Sequence, residues 1–518
     1  MVGFNPMVLF RAPELNPINK KARSIPLLNP FNVYGRVFFF SWFGFMIAFL
    51  SWYAFPPLLA DVIAGDIGAG TPEVLNSNII ALVATLLVRL VAGPACDRFG
   101  PRYTFAGCLL IGAIPTFLSG TCYTVSQLYA LRFFIGILGG SFVPCQVWTT
   151  GFYDKNIVGT ANSLTAGFGN AGGGITYFVM PAVYNSLMNG RGLSSSKAWR
   201  VSFVVPGILI VTIAILLVVL CPDTPTGKWS DRMQAAENNL RAHGVQGTIV
   251  DVPGQVTEKT SEAGSTSQPD IIDEEKKLDS SRGVFGDHEV QMGEQQMVDT
   301  ARGEVVQKPS FKEVARVMFS PQTLVMGACY FCTFGAELSI NSILGNYYGA
   351  NFKGTLDLQG AGNWAAMFGL MNVVWRPLGG VVGDIVYHYT GSVWGKKVLL
   401  HTYGVLMGAF LVAWGVTDPH QLSTFVCLVG IGMAFFLEGA NGLVFSVVPH
   451  VHPYANGVVS GFTGASGNLG GIVFAIIFRY IGTAHYGRTI WIIGVIAMAV
   501  NLAICWIPPV PRGQIGGR

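Results

Sequence analysis

Residues 89–102 read RLVAGPACDRFGPR, with an arginine, a glycine and an aspartate spaced four apart at the end of an apolar run that begins near residue 77. Residues at i, i+4 and i+8 share one face of a helix, so Arg89, Gly93 and Asp97 form a stripe. The same R-x3-G-x3-D spacing returns in RPLGGVVGD, as Arg376, Gly380 and Asp384. A second pair of segments repeats in the same order: AGFGNAGGG at 166–174 is answered by GASGNLGG at 464–471. Two matched features in each half of the chain indicate an internal duplication. Parallel halves with a substrate held between them are an architecture of secondary transporters.

The chain has 518 residues, 51% hydrophobic and 12% charged, where soluble domains carry about 25% charged residues. That is too little charge for the polar shells that several soluble domains need. It excludes a soluble multidomain enzyme, a nucleic-acid binder and a disordered scaffold. A spanning helix takes about 20 mostly apolar residues. Such runs stand near 37–60, 77–95, 103–122, 128–150, 159–184 and 200–221, and again near 322–346, 361–383, 397–416, 422–447, 456–480 and 489–508. The expected fold is an all-α integral membrane protein, with 12 transmembrane helices in two pseudo-symmetric six-helix bundles.

Of the 28 acidic residues, 17 fall between Pro222 and Ser320. This segment is rich in Ser, Gln, Glu and Asp and poor in aromatics, a composition that cannot bury enough surface to fold. The expected organisation is a cytosolic segment 1–36, a bundle 37–221, a cytosolic and largely disordered loop 222–320, a second bundle 321–508 and a cytosolic tail 509–518. The first 35 residues hold no apolar core of a cleavable leader. With the N-terminus inside, twelve lysines and arginines flank the spans on the inner side and five on the outer, which orients both termini to the cytosol. The loop reads as a linker and a regulatory target, for a kinase or the ubiquitin machinery. The nine cysteines lie mostly in apolar runs, as packing residues, and Cys329 and Cys332 lack the second ligand pair of a zinc site. The sequence contains no P-loop and no spaced histidine cluster, so no cofactor, no metal and no enzymatic reaction are expected.

Arg89 and Arg376 lie well inside the bilayer, where a charge costs about 2.5–3.5 kcal/mol on insertion scales. Only Glu337 and Glu438 are acids deep within spans, each on another helix. Two cations with so few acids imply that the missing counterion is the transported species. A guanidinium offers paired planar donors and suits a small planar oxyanion. Asn170 and Asn468, inside the glycine-rich repeats, can donate to an anion or brace one helix against another. Arg132 and Arg479 are read as snorkelling or ion-paired side chains. Gly93, Asp97, Arg98 and Arg102, with Asp384 as the surviving part of a second copy, form a conformational latch in which Asp97 pairs with the arginines.

Gly93-x3-Asp97-Arg98-x-Gly100-x-Arg102 resembles the loop signature of the major facilitator superfamily. AGFGNAGGG and GASGNLGG resemble the paired signature segments of its nitrate/nitrite porter family, and Arg89 and Arg376 fall where that family places its substrate-clamping arginines. The long central loop is more similar to that of the fungal high-affinity nitrate transporters than to the short bacterial one. The resemblance implies an anion held between aromatic rings and touched by a tyrosine of the seventh span. Tyr330 and Phe334 match that pattern, and Phe49 and Phe142 are the expected ring contributors. It also implies import of nitrate, with nitrite as a second substrate, across the plasma membrane by proton symport. Glu337 and Glu438 are the deep carboxylates available as proton sites. The alternatives are a carrier of another small anion, nitrite above all, and a nitrate sensor that signals through the central loop.

Overall fold

The computed structural model describes residues 6–244, 288–302, 304, 311–352, 354–356, 358–481 and 486–512. Twelve long helices make up the membrane part: α1 (Val33–Leu58), α2 (Pro72–Phe99), α3 (Pro101–Thr121), α4 (Val125–Phe152), α5 (Val158–Asn185), α6 (Ser195–Leu220), α7 (Pro321–Leu344), α8 (Asn363–Thr390), α9 (Val393–Thr417), α10 (Leu422–Val451), α11 (Pro453–Ile481) and α12 (Tyr486–Ile504). Among the described residues, eleven are long and apolar enough to cross a membrane. The remaining helix, α5, has 28 residues and is too rich in Gly, Asn and Thr to match them in hydropathy. It packs against α1 on one side and α8 on the other, so neighbouring helices replace lipid around it.

Helices α1–α6 and α7–α12 form two lobes that meet along two seams, α2 against α11 and α5 against α8. The repeated stripe explains both seams. A Cβ on Gly93 would stand 2.4 Å from the Gly457 carbonyl oxygen, and one on Gly380 would stand 2.4 Å from that of Gly159. Backbones this close exclude any side chain larger than hydrogen, which is how small residues knit membrane helices together.

One helical turn beyond each glycine, the aspartate grips the opposite lobe. Asp97 accepts hydrogen bonds from the Gly457 and Val458 amides, both 3.0 Å, in the first turn of α11. Asp384 accepts from the Thr160 amide at 2.6 Å and its hydroxyl at 2.8 Å, in the first turn of α5. Free amides and the positive end of the helix dipole suit a carboxylate. The latch is therefore a helix cap. The expected ion pair of Asp97 with Arg98 or Arg102 does not form: Arg98 is exposed over the Phe99 ring, and Arg102 donates to the Cys221 carbonyl oxygen at 2.6 Å. In the second half a cation is present after all, because Lys396 from α9 donates to Asp384 at 2.8 Å.

The same end of the molecule carries the connector between the lobes. Gly100, at φ +88°, makes the turn between α2 and α3, and a Cβ there would meet the Trp229 side chain at 3.1 Å. Trp229 in turn donates to the Asp97 carbonyl oxygen at 2.9 Å. The expectation of disorder across 222–320 needs correction at both ends of that segment. Connector helices Arg232–Ala242 and Glu294–Arg302 pack together and on Ile18 of the N-terminal segment. A third, Phe311–Met318, packs on α11. Enough apolar side chains, including Leu240 and Met297, are present to bury a small satellite core. The middle of the loop, 245–287, where a regulatory partner is expected, lies outside the described residues.

Polar pairs fasten this layer: Lys20 to Glu289, Lys21 to Glu304 at 2.8 Å, and Asn19 to Glu304 at 3.0 Å. Burial pushes the Glu304 carboxyl up, but the Lys21 and Arg232 charges outweigh it and hold the group below its ordinary value. A depressed carboxylate stabilises the fold above its unfolded pKa, and that contribution is lost as pH falls through the folded value. Acidification below the glutamate range, or Glu304→Gln at neutral pH, should therefore release residues 15–22 from the connector. Hydrogen exchange there should rise about tenfold or more, as loss of one charge-assisted bond implies, and in the Glu304→Gln protein at neutral pH the α2–α11 seam should stay unchanged.

Candidate functional site

Midway along the two seams the stripes end in arginines. Arg89 is 1% and Arg376 0% exposed. In α4, residues Gly136–Ser141 tighten into a 3-10 turn, which frees carbonyls toward α2. Thr85 takes that of Gly136 at 2.8 Å, and the Arg89 Nε donates to that of Gly139 at 3.0 Å. Arg89 Nη1 crosses the seam to the Gly464 carbonyl oxygen of α11 at 2.9 Å. No carboxylate lies within ion-pair distance of Arg89 among the described residues.

Arg376 stays within its own lobe. It donates to the Tyr330 hydroxyl at 2.7 Å and to Asn372 Oδ1, one turn earlier on α8, at 3.2 Å. Its Nη1 stands 3.7 Å from Glu337 Oε2. The expectation that both arginines lack protein counterions is corrected here: it holds for Arg89 and fails for Arg376. Glu337 also accepts from Asn372 and from Asn441, each at 2.8 Å, and Glu438 joins the cluster at 3.5 Å from the Asn441 amide.

Aromatic rings bring the two cations into one site. The Arg89 guanidinium stands 4.9 Å from the Phe142 centroid and 5.4 Å from that of Phe334; for Arg376 the distances are 6.0 and 5.8 Å. These lie within the range where a ring face attracts a cation. Tyr330 lies parallel to Phe334 at 4.8 Å and to Phe142 at 6.3 Å. Phe49 is one ring removed: it packs on Phe45, which touches Phe142.

Above the cations, toward the end away from the connector, lies a cavity of 380 Å³. Phe334, Glu337, Asn170 and Asn372 form its floor, and Phe49, Trp52 and Tyr53 line one wall. Neither Arg89 nor Arg376 lines it; Phe334, which does, has its ring centroid 5.4 and 5.8 Å from the two guanidiniums, and Glu337 and Asn372 reach from the cavity lining to Arg376. At the connector end the Asp97 and Asp384 caps hold the lobes together. The molecule is thus closed at the connector face and hollow toward the other.

The glycine repeats seat these rings. A Cβ on Gly169 would strike Phe45, and one on Gly467 would stand 2.5 Å from Tyr330 and 2.9 Å from Phe334. Their asparagines part company. The Asn170 amide nitrogen is buried at the cavity floor with no partner among the described residues, whereas Asn468 donates to the Gly464 carbonyl of its own helix at 3.1 Å. Neither braces one helix against another.

A sequence profile described as Major Facilitator Superfamily matches residues 41–384. Elsinochrome transporter 1 of Elsinoe fawcettii is 42% identical, over 97% of this chain and 98% of that one. High affinity nitrate transporter 2.5 of Arabidopsis thaliana is 30% identical, over 94% of this chain and 82% of its own. The chain belongs to the nitrate/nitrite porter family of the major facilitator superfamily. The proton:xylose symporter XylE superposes with a TM-score of 0.59 over 93% of this chain and 97% of its own, at 14% identity, and so shares the fold. The chain is a multi-pass membrane transporter.

Several residues of this porter escaped the sequence reading. Asn372 carries a usable signal, a polar residue one turn before an intramembrane arginine. Asn441, Phe45 and Phe445, whose ring packs edge-on against Phe142 and Tyr330 at 4.7 and 5.1 Å, carry none, since their roles depend on which helices meet. Arg132 is 3% exposed and so does not snorkel; among the described residues it pairs with no acid and donates to Asn78 and to the Trp52 carbonyl. Arg479 donates to Asn76 across the α2–α11 seam. Because the porter's α11 glycines receive the α7 rings, Gly467→Ala should displace Tyr330 and cost about 1–3 kcal/mol, the usual penalty for overpacking. A lowered thermal unfolding midpoint in detergent, against an unchanged one for Ala at the open Gly107, would check it.

Proposed function

We propose that this porter carries nitrate, and nitrite as a related substrate, across the plasma membrane into the cytosol together with protons, with both termini cytosolic. The observation that carries the reading is the guanidinium pair of Arg89 and Arg376 between the Phe142 and Phe334 rings, directly beneath a cavity. Family members named as nitrate transporters support the choice of anion. A flat ion with three oxygens can accept from both guanidiniums while the rings cover its faces. Nitrate holds water loosely, so aromatic edges replace that water at small cost, while more strongly hydrated anions are refused.

In this reading the anion descends from the cavity, turns Phe334 aside and binds Arg89 and Arg376 together. Its negative charge screens their mutual repulsion and draws the lobes together on that side. The Asp97 and Asp384 caps then release, and the connector face opens. Import against an inside-negative potential costs about 2.3 kcal/mol per charge per 100 mV, so a driving ion is required. In this reading Glu337 takes the proton, a role supported by its position lining the cavity and 3.7 Å from Arg376. Protonated, it releases Arg376 for the anion; ionised, it competes for the same guanidinium. Glu438 completes the acidic cluster.

A second reading has specific support. A cavity of 380 Å³ lined by Phe49, Trp52, Tyr53 and Tyr177 is large for nitrate, and the relative of 42% identity is named for elsinochrome. Under that reading the cargo is a larger aromatic compound.

Voltage-clamp recording in a heterologous membrane decides between them, with nitrate, nitrite, chloride and an aromatic anion offered at several external pH values. Nitrate should evoke inward current that grows on acidification. Arg89→Ala and Arg376→Ala should abolish it with surface expression intact, and Lys at either position should recover less than about a tenth of the rate, since paired donor geometry is lost. Normal nitrate affinity in either alanine variant would refute the assignment. Glu337→Gln should leave nitrate movement down its own gradient but remove its pH dependence; an unaltered pH response would remove Glu337 from the proton path.

A further inference from the structure

The cavity is lined by a cation of its own, distinct from the guanidinium pair beneath it. Arg132, near the start of α4, lines its upper wall and is 3% exposed. It donates to Asn78 Oδ1 at 2.5 Å and, at 3.4 Å, to the Trp52 carbonyl oxygen. Its Nε has no partner among the described residues. A guanidinium has five N–H donors, and here all its named acceptors are neutral. Arg200, at the same end of the molecule, shows the contrasting solution, with Asp66 at 2.6 Å. No acid stands within ion-pair distance of Arg132 among the described residues.

The surroundings are those of an anion site. The unpartnered Asn170 amide lines the same cavity, as do the Tyr53 and Tyr177 rings. Asn78 precedes Arg89 by eleven residues on α2, about 16 Å along the axis at the rise of an α-helix. An anion held at Arg132 is therefore well clear of the lower pair, on the route toward it. A buried cation without a counterion raises the local concentration of anions and their rate of arrival.

We propose that Arg132 is an outer docking site for a small oxyanion, which rests there before it passes Phe334 to Arg89 and Arg376. The proposal rests on the reading of the lower pair as a nitrate site. It assigns to Arg132 a part in capture and none in the lobe movement.

Two substitutions test it by opposite means. Arg132→Gln removes the charge. Asn78→Asp leaves the arginine in place and neutralises it with a carboxylate at hydrogen-bonding distance, so it keeps the local tether that a purely structural arginine would need. Both should raise the nitrate concentration for half-maximal current about tenfold, the loss expected for one charge-assisted contact, with maximal current kept within about twofold. Arg132→Lys should stay near the wild type. In purified Arg89→Ala protein, nitrate should still raise the thermal midpoint, and adding Asn78→Asp should erase that rise. An Asn78→Asp porter with wild-type half-saturation overturns the docking site while leaving the lower pair untouched. A wild-type chain that carries no nitrate overturns the functional reading and the docking site with it.

Discussion

A guanidinium inside a membrane must hand its hydrogens to something, and how Arg89 does so governs much of the design. It spends two donors on backbone carbonyls, one freed by the 3-10 turn of α4 and the other on α11 across the seam. Carbonyls soften the burial of the charge without cancelling it. The site thus keeps a standing positive potential, which the Phe142 and Phe334 faces blunt further. Arg376 shows the other solution, with a carboxylate at 3.7 Å. Pseudo-symmetric halves have placed two like charges at one site and, among the described residues, brought an acid to only one of them.

That asymmetry is chemical rather than architectural, for the seams themselves are symmetric. On both, an R-x3-G-x3-D stripe runs from the middle of the molecule to the connector face: arginine at the site, glycine where the backbones touch, aspartate on the first turn of the opposite helix. One helix face thus carries substrate chemistry, close packing and closure in register. A change in how the arginines are satisfied acts on the same rigid rods that end in the caps, which is the physical link between site and gate.

Much of this was legible in the sequence. Low charge and twelve apolar runs gave the class, and the doubled stripe gave the duplication. The arginines, Tyr330, Phe142 and Phe334 were nominated by spacing and resemblance, and they do come together. What stayed hidden depends on contacts between helices remote in sequence. Nothing around Asp97 in the chain says that its partners are amides at 457 and 458, because backbone groups leave no mark on composition. Lys396 replaces a missing basic position from a different helix. Glu337 looks remote from Arg376 in the sequence because the two stand on different helices, and which faces of α7 and α8 meet is set by packing. The average composition of the connector implies a largely disordered loop, and Trp229, Leu240 and Met297 are local exceptions to that average.

The size of the cavity has its own consequence. A chamber of 380 Å³ has room for on the order of a dozen waters, so an arriving ion would travel through it still wearing its solvent shell. Stripping is then confined to one step, at the Phe334 floor. Selectivity between ions would be exercised late and at a single barrier, after capture, and an ion unable to shed its shell could occupy the antechamber as a competitor without ever crossing.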